Sequence, residues 1–288
     1  MKSIYRSENA KKAVLELYDR QIAELNISYQ DLYVDTSFGK THLIECGNPE
    51  GKPLLVFHGG NATTAYNLKY CSFLLPHFHI YAVDTIGHPG KSAEVELSSH
   101  GQDYGKWAVE VIRALKYDKM ACFGGSFGAG ILVKAMCVAP EIIDRSVLLV
   151  PSAIKNAPLY KSMNMAFPMM MYWLTHQEKW LVRCFLPMTL TEQDITADFL
   201  ETARCSIDNV KIKAAMPKDE SIERLSRYHN PVLVMAAEKD CLFPAGNVLP
   251  RVEKVWKQSK TYLLKDRGHM HQLTSEEEKI IIDFLKGV

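Results

Sequence analysis

The chain has 288 residues, 47% of them hydrophobic and 23% charged, which suits one large core, or one core domain carrying an insertion, better than two independent domains. Its 34 basic and 33 acidic side chains nearly cancel, so nucleic acid and anionic membranes, which call for a clustered basic excess, are not expected as partners. The seven cysteines form neither an even framework nor close CxxC pairs, and no apolar run approaches the roughly 18 residues of a membrane span. Reduced thiols, no metal, no cofactor, no export signal in MKSIYRSENAKK and a cytoplasmic location are the expectations.

Apolar residues at 13, 14, 17, 18, 22 and 25 recur at helical spacing, which predicts an amphipathic helix over Glu8 to Leu25 packed on the main body. Asp31 to Thr36 and Lys40 to Glu45 read as an antiparallel hairpin around Ser37, Phe38 and Gly39, at a sheet edge. From Pro53 onward the apolar runs PLLVF, HIYAVD, KMACFGG, RSVLLV, PVLVMAA and KTYLL alternate with helical stretches. Runs of this kind are strands buried on both faces, and the segments between them are long enough to be crossover helices of a mostly parallel, doubly wound sheet.

Pro151 to Asn230 is far longer than a crossover needs, which predicts a helical cap inserted at 151–230 into a core formed by 1–150 and 231–288. Its segments NMAFPMMMYW and EKWLVRCFLPM are rich in Met and aromatic residues. They either pack the cap onto the core or line an apolar acyl pocket, with Met165, Met169 and Trp173 as candidate substrate contacts.

Gly124, Gly125, Ser126, Phe127 and Gly128 spell GxSxG, directly after the strand KMACF and directly before the helical stretch AGILVKAMCVA. A sharp strand-to-helix turn of this type pushes the serine hydroxyl into the open, and its glycines tolerate the close approach. Serine needs a base within hydrogen-bond reach and a carboxylate to orient that base. After the last strand comes DRGHMH, where His269 is the candidate base and His271 a loop or pocket-edge residue. After PVLVMAA comes Glu238, Lys239 and Asp240. Asp240 is the candidate acid, with Glu238 a surface group and Asp208 in the cap a displaced alternative.

Acyl transfer also needs donors for an oxyanion. PLLVF runs into His58, Gly59, Gly60 and Asn61, so the amides of Gly60 and Phe127 are the candidate oxyanion hole. His58 is read as organising that loop, and Asn61 as either a substrate contact or a turn residue. Asp84 to Ser92, DTIGHPGKS, reads as a tight structural loop at the same end of the sheet, with no catalytic role for His88.

With HGGN, DTIGHPGKS, GGSFG and the late Asp and His in this order, the chain resembles the α/β-hydrolase superfamily from about Tyr29 to the C-terminus, most weakly in the cap. Within it, the N-terminal helix and the segments SFGKTHLIECG and YAVDTIGHPGKS resemble the bacterial carboxylesterase NP group. The resemblance implies the α/β-hydrolase fold and a carboxylic ester hydrolase using Ser126, Asp240 and His269, acting on a small-molecule ester or acyl substrate. Serine at the elbow disfavours the dehalogenases and epoxide hydrolases of the superfamily, whose nucleophile is Asp. Thioesterase, lactonase, perhydrolase and carbon–carbon bond hydrolase chemistry remain open, as do a slow-turnover ligand-binding or signalling role and a homo-oligomer.

Overall fold

The computed structural model describes residues 3–211 and 215–288. Ser7 caps the first helix, α1 (Glu8–Glu24), by accepting from the Ala10 amide. Its buried stripe, including Val14, Leu17, Tyr18 and Ile22, follows the spacing read from the sequence. β1 (Tyr29–Thr36) and β2 (Gly39–Gly47) form the expected antiparallel hairpin, with Thr36 opposite Gly39, whose φ of +131° suits the turn.

The six apolar runs are strands: β3 (Lys52–Phe57), β4 (Phe78–Val83), β5 (Met120–Gly125), β6 (Ile143–Leu149), β7 (Val232–Ala237) and β8 (Lys260–Leu264). They complete an eight-stranded sheet ordered β1-β2-β4-β3-β5-β6-β7-β8, antiparallel only where β2 meets β1 and β4. Alternation along β3 explains why it is apolar throughout. Leu55 and Phe57 enter the core beneath α3 (Asp103–Ala114) and α4 (Phe127–Val138), whereas Leu54 and Val56 enter the core beneath α1, α2 (Thr64–Tyr70) and α10 (Ser275–Lys286). A capping box of Thr274 and Glu277 starts α10, and α9 (Ala245–Val255) joins β7 to β8.

Between β6 and β7 the chain forms a mainly helical cap. A 3₁₀ helix at Leu159–Met165 leads into α5 (Ala166–Thr175), α6 (Glu178–Thr189) and α7 (Ala197–Asn209). Its two ends stay with the core. Ser152, Ala153 and Ile154 are buried beside the elbow, while α8 (Ile222–Leu225) and Tyr228 return to the main core, where Glu220 pairs with the buried Lys134 at 2.7 Å. The chain's N-terminal end ties the cap down: the Arg6 amide donates to Asn209 O, the Lys211 amide to Ile4 O, and Gln21 Nε2 to Thr202 Oγ1. No helix among the described residues is long and apolar enough to cross a membrane.

Candidate active site

In a sheet of this order, β4 lies to one side of β3 and β5 to the other, so the loops leaving β3 and β5 diverge and open a crevice at the carboxyl ends of the strands. Ser126 sits at that crevice with φ +53° and ψ −114°, a backbone state that a non-glycine residue holds only when its surroundings impose it. Those surroundings are on both sides of it. The Ser126 amide donates to Leu149 O on β6, and the Ser126 carbonyl accepts from Gly130 N and from both the amide and the hydroxyl of Ser152.

Two of the elbow's glycines are needed for close approach. A Cβ at Gly128 would stand 2.5 Å from Phe57 O and 2.6 Å from His58 O, and one at Gly124 would stand 2.8 Å from the backbone of Gly128 and Ala129. Only hydrogen at these positions lets α4 start directly against β3 and β5. Gly125 meets nothing within 4 Å.

His269 arrives from the loop after β8, with Nε2 2.9 Å from Ser126 Oγ and Nδ1 2.8 Å from Asp240 Oδ2. Asp240 follows β7 and is buried, and its other oxygen accepts from the amides of Leu242 (2.7 Å) and Phe243 (2.9 Å). That leaves Oδ2 as the oxygen facing the imidazole, while the Phe243 ring packs edge-on against His269 at 5.3 Å. An ionised carboxylate only accepts, so Nδ1 carries the proton and Nε2 is the acceptor for the serine hydroxyl. This arrangement can take a proton from Ser126 and return it to a leaving group. Glu238 accepts from the Asp266 amide at the surface, and Asp208 accepts from Tyr172 within the cap, so neither takes the place beside His269.

The amides of Gly60 and Phe127 come from adjacent positions. A Cβ on Gly60 would touch the Phe127 side chain at 3.3 Å, and Phe127 begins α4, where first-turn N–H groups have no intrahelical acceptor. His58 organises this loop through both ring nitrogens: Nδ1 donates to Gly59 O (2.7 Å), and Nε2 accepts from the Thr85 amide (3.0 Å). Burial holds its pKa below the usual 6.5, so it remains neutral and keeps that acceptor. The DTIGHPGKS loop is fastened around a buried Asp84, which takes His42 Nδ1 at 2.8 Å, the Lys91 amide at 2.8 Å and the Tyr18 hydroxyl at 3.1 Å.

An open cleft leads to Ser126 and His269. Its apolar wall includes Phe185 and Met188 of α6, Phe199 of α7 and Leu242, and its more polar wall includes Tyr66, Asn67 and Tyr70 of α2 with His271. His271 donates from Nδ1 to Gly268 O, and burial lowers its pKa as well. The α2 residues could have been anticipated, because α2 follows the Gly60 loop directly.

Met165, Met169 and Trp173 do not line this cleft. Trp173 is exposed, Met169 packs with Tyr172 and Leu181 between cap helices, and the Met165 carbonyl accepts from Cys184 Sγ. α6 and α7 supply the lining, whereas α5 packs its buried side against them. Asn61 is absent from the lining too. Its amide donates to His88 Nδ1 (3.3 Å) and its carbonyl accepts from Ser206 of α7 (2.6 Å), at φ +56°, so its main chain is a turn element.

Comparison with known proteins agrees with this architecture. A family model described as alpha/beta hydrolase fold matches residues 52–178. Carboxylesterase YbfK of Bacillus subtilis (strain 168) is 30% identical over 137 residues, 48% of this chain and 46% of the relative, so the chain matches about half of that relative's length. A second protein of that strain, named uncharacterized carboxylesterase nap, is 22% identical over 277 residues, covering 92% of this chain and 90% of the relative. The crystal structure of naproxen esterase (carboxylesterase NP) from Bacillus subtilis superposes with a TM-score of 0.83 at 18% identity, covering 97% of this chain and 99% of that one.

Proposed function

We propose that this chain, which has the α/β-hydrolase fold and resembles carboxylesterase NP, is a serine hydrolase that cleaves carboxylic esters through Ser126, His269 and Asp240. The observation that carries this reading is the continuous relay from Asp240 Oδ2 through His269 to Ser126 Oγ, at 2.8 and 2.9 Å. His269 Nε2 takes the hydroxyl proton as Ser126 attacks the acyl carbonyl, while Asp240 stabilises the imidazolium that forms. The amides of Gly60 and Phe127 hold the oxyanion, a contribution worth about 3 kcal/mol for one donor in comparable sites. His269 then protonates the departing alcohol, and water admitted to the cleft hydrolyses the acyl-enzyme with the same histidine as base.

An apolar wall of Phe185, Met188, Phe199 and Leu242 suits an uncharged acyl or alcohol group, a small-molecule substrate rather than a polymer backbone. A panel of chromogenic esters and thioesters graded by chain length tests the assignment. Turnover of esters should be abolished by Ser126→Ala and by His269→Ala, whereas His271→Ala should retain most of it. Equal, mild losses for the two histidine variants, or an ester rate no faster than that of a binding protein, would overturn the reading.

A further inference from the structure

The large apolar side chains that stand exposed are not scattered evenly. Tyr160, Met163, Phe167, Met170, Trp173 and Leu174 fall within one stretch of the cap, each 47–72% exposed. Five of them, at 160, 163, 167, 170 and 174, follow the alternating three- and four-residue spacing of a helical seam that runs through the 3₁₀ turn into α5. The opposite side of α5 is already occupied, since Tyr172 is buried and Met169 packs with it against α6 and α7. The seam is therefore an outward apolar face that the protein's own packing leaves open.

Three features say what covers it. Six large side chains, each about half exposed or more, present several hundred Å² of apolar surface, as much as the largest patch on a typical monomer. Doubled across a two-fold axis, that area approaches the roughly 1,200 Å² at which stable interfaces begin.

The seam is also self-complementary about its centre. Phe167 lies seven residues from both Tyr160 and Leu174, and four and three residues from Met163 and Met170. An antiparallel copy turned about an axis near Phe167 sets Tyr160 against Leu174 and Met163 against Met170, as an isologous interface requires.

Charge is no obstacle. From Arg145 to Gln177 the chain has no acidic side chain, so no carboxylate of that stretch is buried by the pairing, and Lys161 falls beside Trp173 of the other copy, where a cation sits well over an aromatic ring.

We propose that a second copy of this chain covers the face, forming a two-fold dimer through the caps. The dimer braces the substrate cleft. Phe167 packs edge-on against Trp180 of α6 at 5.9 Å, and α6 carries Phe185 and Met188 to the cleft wall.

Light scattering after gel filtration, over a range of protein concentrations, should give twice the 32.6 kDa mass of one chain. Phe167→Asp and Leu174→Asp, both at exposed positions, should each yield a monomer with an unchanged circular dichroism spectrum. As an independent arm, Phe167→Cys treated with copper phenanthroline should give a disulfide-linked dimer on a non-reducing gel, while Ile222→Cys, exposed elsewhere, and the wild type should not.

A monomer at every concentration, or a dimer indifferent to both Asp substitutions, overturns the proposal. So does sedimentation of a monomeric wild type with vesicles of phosphatidylcholine and phosphatidylglycerol, lost in the Asp variants, because the face would then be covered by lipid.

Discussion

Ser206, on helix α7 of the cap, donates its hydroxyl to the carbonyl of Asn61 at 2.6 Å, joining the cap to the loop that carries the Gly60 amide. The Asn61 amide is held from the other side by His88, so the turn after Gly60 is clamped between the cap and the DTIGHPGKS loop. A side chain far along the sequence from the elbow thus holds the loop that carries one of the two proposed oxyanion donors.

Ser206→Ala should lower kcat for a good ester by on the order of tenfold with KM little changed, because a misplaced oxyanion donor costs the transition state more than the bound substrate. Ser206→Thr should restore most of the loss. Steady-state kinetics separate the outcomes: a raised KM with unaltered kcat would mean that Ser206 serves only the cleft.

Within GGSFG the glycines should differ sharply. Gly128→Ala forces a methyl onto the carbonyls of Phe57 and His58 at 2.5 and 2.6 Å, backbone atoms that cannot yield cheaply, and should cost about 1–3 kcal/mol or more. Gly125→Ala meets nothing within 4 Å and should stay within about 1 kcal/mol of the wild type. Denaturant melts of the two variants measure the contrast, and equal destabilisation would contradict it.

The motif was legible in the sequence because strand, GxSxG and helix adjoin. The requirement that separates Gly128 from Gly125 was not, since it depends on where β3 passes. The same division holds elsewhere. Strands buried on both faces, the edge hairpin and α1 announce themselves by period and by turn residues, and Asp240 and His269 by their place just after β7 and β8. The cleft wall was not legible, because a Met- and aromatic-rich helix reads alike whether it faces a pocket, a neighbouring helix or solvent. Phe185, Met188 and Phe199 line the cleft, whereas Met165, Met169 and Trp173 do not.

Two buried histidines should weaken the fold as the solution turns mildly acidic. Burial lowers the pKa of His58 and of His271 in the folded chain below the 6.5 expected when it is unfolded, so below that pH the unfolded chain binds protons that the folded one refuses. Their contribution is complete above about pH 6.5 and is lost as pH falls toward the folded pKa values, by at most about 1.4 kcal/mol per pH unit for each histidine. Protonation of His58 would also remove the acceptor for the Thr85 amide. Urea midpoints measured from about pH 7.5 down to about pH 5 should fall, and His271→Gln should flatten the slope. A midpoint constant over that range would contradict this.

If His269 activates Ser126 as proposed, this serine reacts with an electrophile that leaves the chain's other hydroxyls alone. Incubation with a fluorophosphonate probe, followed by intact-protein and peptide mass spectrometry, reads this out. One adduct per chain, located on Ser126, absent in Ser126→Ala and formed far more slowly in His269→Ala, is the predicted result. An unlabelled Ser126, an adduct on another residue, or labelling that does not depend on His269 would contradict it.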